Sequence, residues 1–266
     1  MAPKISVVMS YYNRLELLHF TLRTIECSPL KDSCEVIIVD DASDLEQAVS
    51  QIVDKVSLNI KLITIPREEK WWINPCVPFN RGFREASGDV VIIQSAECFH
   101  FGDLLSYAVN YTTEGNYLVY STKQIPDGVT KILSLFNNSP CNVIKNKIQE
   151  IIEPLKDRTN QWYQHPVHNP TCYHFTSSIK RKNLIEGLGG FDERYAKGYC
   201  FDDNEFLERI RRSPFELVNV PPDSVFSVHQ FHRSLLPLTG DKDERWLKNY
   251  HLFHDYTKTE KTWKAN

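Results

Sequence analysis

Ile5-Ser-Val-Val-Met-Ser-Tyr-Tyr-Asn-Arg14, running into an apolar-periodic stretch from Leu15 to about Cys27, decides the fold. The β-branched run 5–9 predicts a short buried strand. Leu17, Leu18, Thr21, Leu22 and Ile25 recur at helical spacing, and Asn13 stands where a helix cap belongs. This strand–turn–helix unit repeats. Val36-Ile-Ile-Val39 is a second buried strand, after which Ser43 and Glu46 form a capping-box pattern predicting a helix toward Val56. A third strand is expected over 60–65, a helix over 79–86 stopped near Gly88, and a fourth strand at Val90-Val-Ile-Ile93. Such alternation builds an α/β fold, a mostly parallel sheet flanked by helices.

Beyond about residue 122 the alternation weakens. The pattern there predicts a helix over 143–152, a long polar and aromatic loop through Pro170, a strand over 172–176 and a glycine-rich turn at 187–190. A helix over 204–212 and strands over 216–220 and 224–228 follow, with a terminal helix over 241–254 and frayed last residues. We read one domain over 1–235, in two halves, 1–122 and 123–235, with a helical extension over 236–266.

The 266 residues are 41% hydrophobic and 24% charged, enough for a full core, which excludes disordered, collagen-like and disulfide-scaffold classes. The net charge of −3 supplies no general field for nucleic acid or an anionic membrane, so an anionic ligand needs a local site. The seven cysteines show neither a Cys-x-x-Cys pair nor a zinc spacing and read as reduced thiols. No apolar run approaches 18 residues, and the five-residue strand near the start is too short for a signal core, so a cytoplasmic location is expected.

In an open parallel sheet, ligands sit beyond the carboxyl ends of the strands. Three polar strand ends qualify: Ser10-Tyr11-Tyr12-Asn13, Asp40-Asp41 and Ser95-Ala96-Glu97. Neither Gly-x-Gly-x-x-Gly nor a P-loop pattern follows a strand, so a phosphate here needs something other than a glycine cradle. A carboxylate holding a divalent metal would serve.

Five ordered motifs, Ile5 to Arg14, Val36-Ile-Ile-Val-Asp-Asp-Ala-Ser43, Asn80-Arg-Gly-Phe-Arg-Glu-Ala-Ser-Gly-Asp89, Gly189-Gly-Phe-Asp-Glu193 and Phe201-Asp-Asp-Asn-Glu205, resemble family 2 glycosyltransferases of the GT-A fold. The resemblance spans roughly residues 4–232. It implies a nucleotide-sugar-binding first half, an acceptor-binding and catalytic second half, and inverting transfer of a sugar from a nucleotide-sugar donor to a glycan or glycoconjugate acceptor. Ser10 and Tyr12 match positions lining base and ribose. Asp41 matches the acid that accepts the N3–H of uracil, favouring uridine or thymidine diphosphate sugars; the alternative is that Asp40, Asp41 and Ser43 cap the next helix.

The usual Asp-x-Asp is replaced by Ser95-Ala96-Glu97, leaving Glu97 as the carboxylate for Mn²⁺ or Mg²⁺, with the Ser95 hydroxyl a weak or water-mediated contact. The family's late histidine falls at His229 or His232; residues three apart on an extended strand face opposite ways, so His229 is preferred and the two are not expected on one ion. In the acidic-pair motif the second acid, Asp203, is the candidate base, beside Asp202 in the substrate site. Arg81 is the basic residue assigned toward the diphosphate, from a group with Arg67, Lys70 and Arg84. No role is assigned to Trp71, Trp72 or Asn74, and the loop holding Trp162, Tyr163, His165 and His168 reads as an ordinary loop. Two further readings stand beside this one: a nucleotide-binding scaffold that lost catalysis, and a nucleotidyltransferase, which would want a basic glycine-rich loop after the first strand. No nucleic-acid partner and no transmembrane segment are expected, while the acceptor leaves room for peripheral membrane contact.

Overall fold

The computed structural model describes residues 4–233, 243–256 and 264–266. The β-branched runs form parallel strands: β1 (Ile5–Tyr11) pairs on one side with β2 (Cys34–Asp40), itself paired with β3 (Asn59–Thr64), and on the other with β4 (Val90–Gln94). Strands β1, β2 and β4 are buried along almost their whole length, as continuous apolar runs demand when both faces of a sheet are covered.

The remaining strands are β5 (Cys98–Phe101), β6 (Asn116–Tyr120), β7 (Thr122–Gln124), β8 (Trp162–Gln164), β9 (Thr176–Lys180), β10 (Glu216–Val220) and β11 (Phe226–His229). The large sheet runs β10-β6-β9-β4-β1-β2-β3, with β9 antiparallel between β4 and β6. A second sheet, β5-β11-β7-β8, carries residues from both halves of the sequence.

Helices α1 (Leu15–Glu26) and α3 (Leu104–Tyr111) cover one face of the large sheet, and α2 (Cys76–Glu85) and α6 (Asp202–Arg212) the other. Helices α4 (Asp127–Ser134) and α5 (Cys141–Ile152) pack with Phe20 of α1 on the small sheet, and α7 (Glu244–His251) lies near the end of the chain.

Several sequence expectations are corrected. The segment 43–56 forms three short 3₁₀ turns, Leu45–Gln47, Val49–Gln51 and Val53–Lys55, in place of a helix. The Asp40 carboxylate accepts from the amides of Ser43 (3.0 Å) and Val49 (3.5 Å), committing them to a turn. Asn13, at φ 50°, does not cap α1; its side chain pins Asp44 instead, and the first amides of the helix reach Gln47 Oε1 and Tyr11 Oη. The strand expected over 172–176 begins only at Thr176: serine-rich β9 is buried because the Thr112, Tyr117 and Tyr120 hydroxyls bond Ser177 and Ser178, which periodicity cannot reveal.

Nor are all the cysteines thiols. Cys27 and Cys141, 114 positions apart, are bridged with their Cα atoms 5.2 Å apart, tying the end of α1 to the start of α5. The other five are free, Cys200 alone of them exposed. The last residues are docked: the amide of Ala265 donates to Leu188 O, and Asn266 Nδ2 to the carbonyls of Gly189 and Phe191. Of the helix expected over 241–254, residues 241–242 lie outside the described residues and α7 starts at Glu244.

Candidate active site

A cleft of about 570 Å³ opens beyond the carboxyl ends of β1, β2 and β4, where an open parallel sheet positions ligands. Ser10, Tyr12, Asp41, Ser95, Glu97, Asp202 and Asp203 all line it. Seven positions chosen from sequence therefore converge, although they lie as far apart as residues 10 and 203. His229 stands behind Glu97.

At the end of β2, Asp40 and Asp41 divide the work. Asp40 shapes the turn, whereas buried Asp41 faces the cleft, its Oδ1 accepting from Trp72 Nε1 and its Oδ2 from Lys70 Nζ, each at 2.8 Å. Burial pushes the Asp41 carboxyl above its ordinary value against the pull of Lys70. Lys70 also stands 4.5 Å over the Tyr12 ring, leaving the half-exposed tyrosine face at the cleft mouth. Trp72 and Lys70 thus fix the Asp41 carboxylate, a role sequence spacing gave no means to assign.

Arg81 is not brought into the cleft. It lies on α2, pairs with Glu69 at 3.4 Å and stacks on Trp72 at 5.0 Å, so its place is behind the indole that buttresses Asp41. The guanidinium that does line the cleft is Arg14, whose Nη1 donates to Glu97 Oε1 at 2.7 Å.

Glu97 sits in the tight turn between β4 and β5, buried, and both late histidines reach it: His229 Nε2 lies 3.5 Å and His232 Nε2 3.4 Å from the same Oε1. The expectation that only one could is wrong because β11 ends at His229, so strand alternation no longer governs the next residues. Burial alone would raise the Glu97 carboxyl, but His229, His232 and Arg14 hold it well below the usual range.

The ligand atoms of Glu97, His229 and His232 lie within 4.8 Å of one another. Two ligands about 2.1 Å from one ion stand about 3 to 4.2 Å apart, and the two histidine-to-carboxylate separations, 3.5 and 3.4 Å, fall in that range. His232 Nδ1 is 3.0 Å from the carbonyl of Arg233, which can only accept, so that nitrogen carries a proton and Nε2 is the ring atom turned toward the carboxylate. That Nε2 and His229 Nδ1 are buried without a hydrogen-bond partner. Two imidazole nitrogens and a carboxylate oxygen gathered in one place are a donor set that suits a divalent cation.

Across the cleft, α6 begins with both acids in its first turn. Asp202 is buried and accepts from Asn74 Nδ2 at 2.8 Å; burial first, and the Asp203 charge second, push it up to about 7. Asp203 is half exposed, its Oδ1 3.1 Å from His174 Nε2. His174 is itself buried, its Nδ1 3.1 Å from Tyr117 Oη, which donates to Ser177. The third acid, Glu205, leaves the site and forms a buried ion pair with Arg209, whose guanidinium also bonds the carbonyls of Leu188 and Gly190. His174 carried no sequence signal, being one histidine between aromatic residues.

The sequence profile of Glycosyl transferase family 2 matches residues 6–188, more than half of the chain. The chain belongs to that family. It is 28% identical over 244 residues, 90% of its length and 72% of the relative's, to Uncharacterized glycosyltransferase sll0501 of Synechocystis sp.. Among solved structures it resembles residues 1–349 of Staphylococcus aureus TarS in complex with UDP-GlcNAc, with a TM-score of 0.60 at 17% identity over 87% of this chain. It also resembles the mannosyltransferase PcManGT of Pyrobaculum calidifontis in complex with GDP-Man and Mn²⁺, with a TM-score of 0.54 at 18% identity over 90%. The chain spans 59% of each of those structures and 37% of a longer TarS chain. At such identities the structural likeness establishes the fold, GT-A. No helix among the described residues is long and apolar enough to cross a membrane.

Proposed function

We propose that the chain moves a glycosyl group from a uridine or thymidine diphosphate sugar to a hydroxyl of a glycan or glycoconjugate, inverting the anomeric carbon in one displacement. One observation carries the reading: a single cleft is lined by Asp41, Glu97 and the half-exposed Asp203. The matching position in the family supports Asp41 as the acceptor for a pyrimidine N3–H, with Tyr12 a stacking face and Ser10 beside the ribose.

The acceptor hydroxyl attacks the anomeric carbon as the bond to the diphosphate oxygen breaks, and Asp203 takes the hydroxyl proton. Burial and the neighbouring Asp203 charge raise the Asp202 carboxyl, so the half-exposed Asp203 is the better placed of the two to face the acceptor. His174 Nε2 stands 3.1 Å from the Asp203 carboxylate, a position from which a protonated ring orients it. Glu97, His229 and His232 would hold Mn²⁺ or Mg²⁺, which supplies charge stabilisation for the departing diphosphate; a relative of the same fold was solved with Mn²⁺.

The test is a thermal-shift panel of UDP, dTDP, GDP and CDP with and without Mn²⁺, since ligand at a hundredfold its Kd stabilises by about 2.7 kcal/mol. Mn²⁺-dependent stabilisation by UDP or dTDP is expected; silence to all four refutes the reading. Asp203→Asn must then abolish transfer while UDP affinity stays within a few-fold, and near-normal turnover would remove Asp203 as the base.

A further inference from the structure

Glu97 Oε1 is a contested atom. Arg14 Nη1 lies 2.7 Å from it, His232 Nε2 3.4 Å and His229 Nε2 3.5 Å. A divalent ion held by the two histidines and the Glu97 oxygen they face would share that oxygen with Arg14, and two cations on one carboxylate oxygen repel strongly where water is scarce.

Arg14 can leave. Its backbone is fixed, the amide donating to Tyr11 Oη at the end of β1, but its side chain is 23% exposed at the cleft. Among the described residues the guanidinium has one recorded hydrogen bond, that to Glu97, so most of its five donors are not committed to protein. Lys70, the other basic side chain lining the cleft, is tied to both the carboxylate and the carbonyl of Asp41. A guanidinium fork matches a diphosphate oxygen pair in a way a tied ammonium cannot.

We infer that Arg14 is an exchangeable cation of this site: it competes with the divalent metal for Glu97 and passes to the diphosphate when metal and nucleotide bind together. The inference rests on the proposed nucleotide-sugar reading. It makes metal binding conditional on nucleotide, because the diphosphate gives Arg14 a second anion to move to. By linkage the coupling is reciprocal, and couplings between sites usually amount to about 5- to 150-fold.

The experiment measures Mn²⁺ affinity with and without UDP, and UDP affinity at saturating Mn²⁺, on the intact chain and on Arg14→Met. The intact chain should bind Mn²⁺ at least about fivefold tighter with UDP present. Arg14→Met should bind Mn²⁺ alone at least about fivefold tighter than the intact chain and UDP at least about fivefold weaker, so that the mutual dependence shrinks. Mn²⁺ affinity that does not rise, or UDP affinity that does not fall, overturns the inference while leaving the parent reading standing. An intact chain that binds neither Mn²⁺ nor UDP sinks the parent reading and this inference with it. Should Arg14→Met not fold, Arg14→Lys decides: it keeps the charge and loses the fork, so Mn²⁺ affinity should stay near that of the intact chain while UDP weakens, and undiminished UDP affinity overturns the inference.

Discussion

Replacing Asp202 with Asn should stabilise the protein above neutral pH and leave it unchanged in acid. The carboxyl is 6% exposed, flanked by the Asp203 charge, and raised from 3.8 to about 7. A carboxyl raised on folding contributes stability that is fully present below its unfolded value and lost as pH climbs through its folded value, here between about 4 and 7. Three units at 1.36 kcal/mol each set a ceiling of about 4 kcal/mol above that window. Asn keeps an acceptor for Asn74 Nδ2 but gives up the interaction of an anion with the start of α6, worth about 0.3–1 kcal/mol. At most about 3–4 kcal/mol at pH 8 remains, which at about 2 °C per kcal/mol for a chain of this length is about 6–8 °C in Tm. Thermal unfolding of both proteins from pH 4 to pH 8 should show the midpoints diverging as pH rises. An Asp202→Asn variant no more stable than the parent at pH 8, or one with a pH-independent offset, would refute the argument that buried like charge raises this carboxyl.

Glu97→Ala should abolish the Mn²⁺ dependence of nucleotide binding, read by titrating Mn²⁺ at fixed UDP; an undiminished response would place the metal elsewhere. His174→Gln should lower transfer by about 10- to 100-fold with UDP affinity unchanged, as expected when the group that orients a base is lost; equal turnover would make His174 mere packing. Denatured without reductant, the chain should expose five reactive thiols and, after reduction, seven. Cys141→Ser should then lower stability by about 2–5 kcal/mol, measured by denaturant unfolding without reductant.

What could be read from sequence follows the range of the forces involved. Strands β1, β2 and β4 and helix α1 show in periodicity because each apolar face is local, and Ser10, Asp41 and Glu97 are legible because each ends such a strand. The helix expected after Ser43 does not form because Asp40 reaches forward to take the amides of Ser43 and Val49, a competition that a capping pattern does not display. The Cys27–Cys141 bridge and the docking of Asn266 on Gly189 and Phe191 depend on partners 114, 77 and 75 positions away, where spacing carries no signal. Arg81 failed for a different reason. Its motif is legible, but the face of α2 it occupies is fixed by Gly82, where a Cβ would stand 2.5 Å from Val8 Cγ1 and which must therefore lie against the sheet.

The replacement of the usual acidic pair by Ser95-Ala96-Glu97 raises the question of how one carboxylate suffices, and the answer lies in what holds it. Gln230 is fully buried between the two histidines in sequence, its backbone amide donating to Glu97 O at 3.1 Å and its Nε2 to Glu97 O and Leu17 O, each at 3.0 Å, with Thr21 Oγ1 at 3.2 Å. One side chain therefore locks the Glu97 backbone to the segment that carries His229 and His232, and both to helix α1, whose start presents Arg14. Tyr163 and Phe175 pack edge-on against the His229 ring, at 4.8 and 5.8 Å, restricting its orientation from the other side. As ligands, two imidazoles and one carboxylate would bring less negative charge toward a diphosphate than two carboxylates, and a site fixed by its surroundings needs little reorganisation to take a cation. On the proposed reading, rigidity and imidazole ligands stand in for the second acid, while the same carboxylate oxygen holds the Arg14 guanidinium at 2.7 Å.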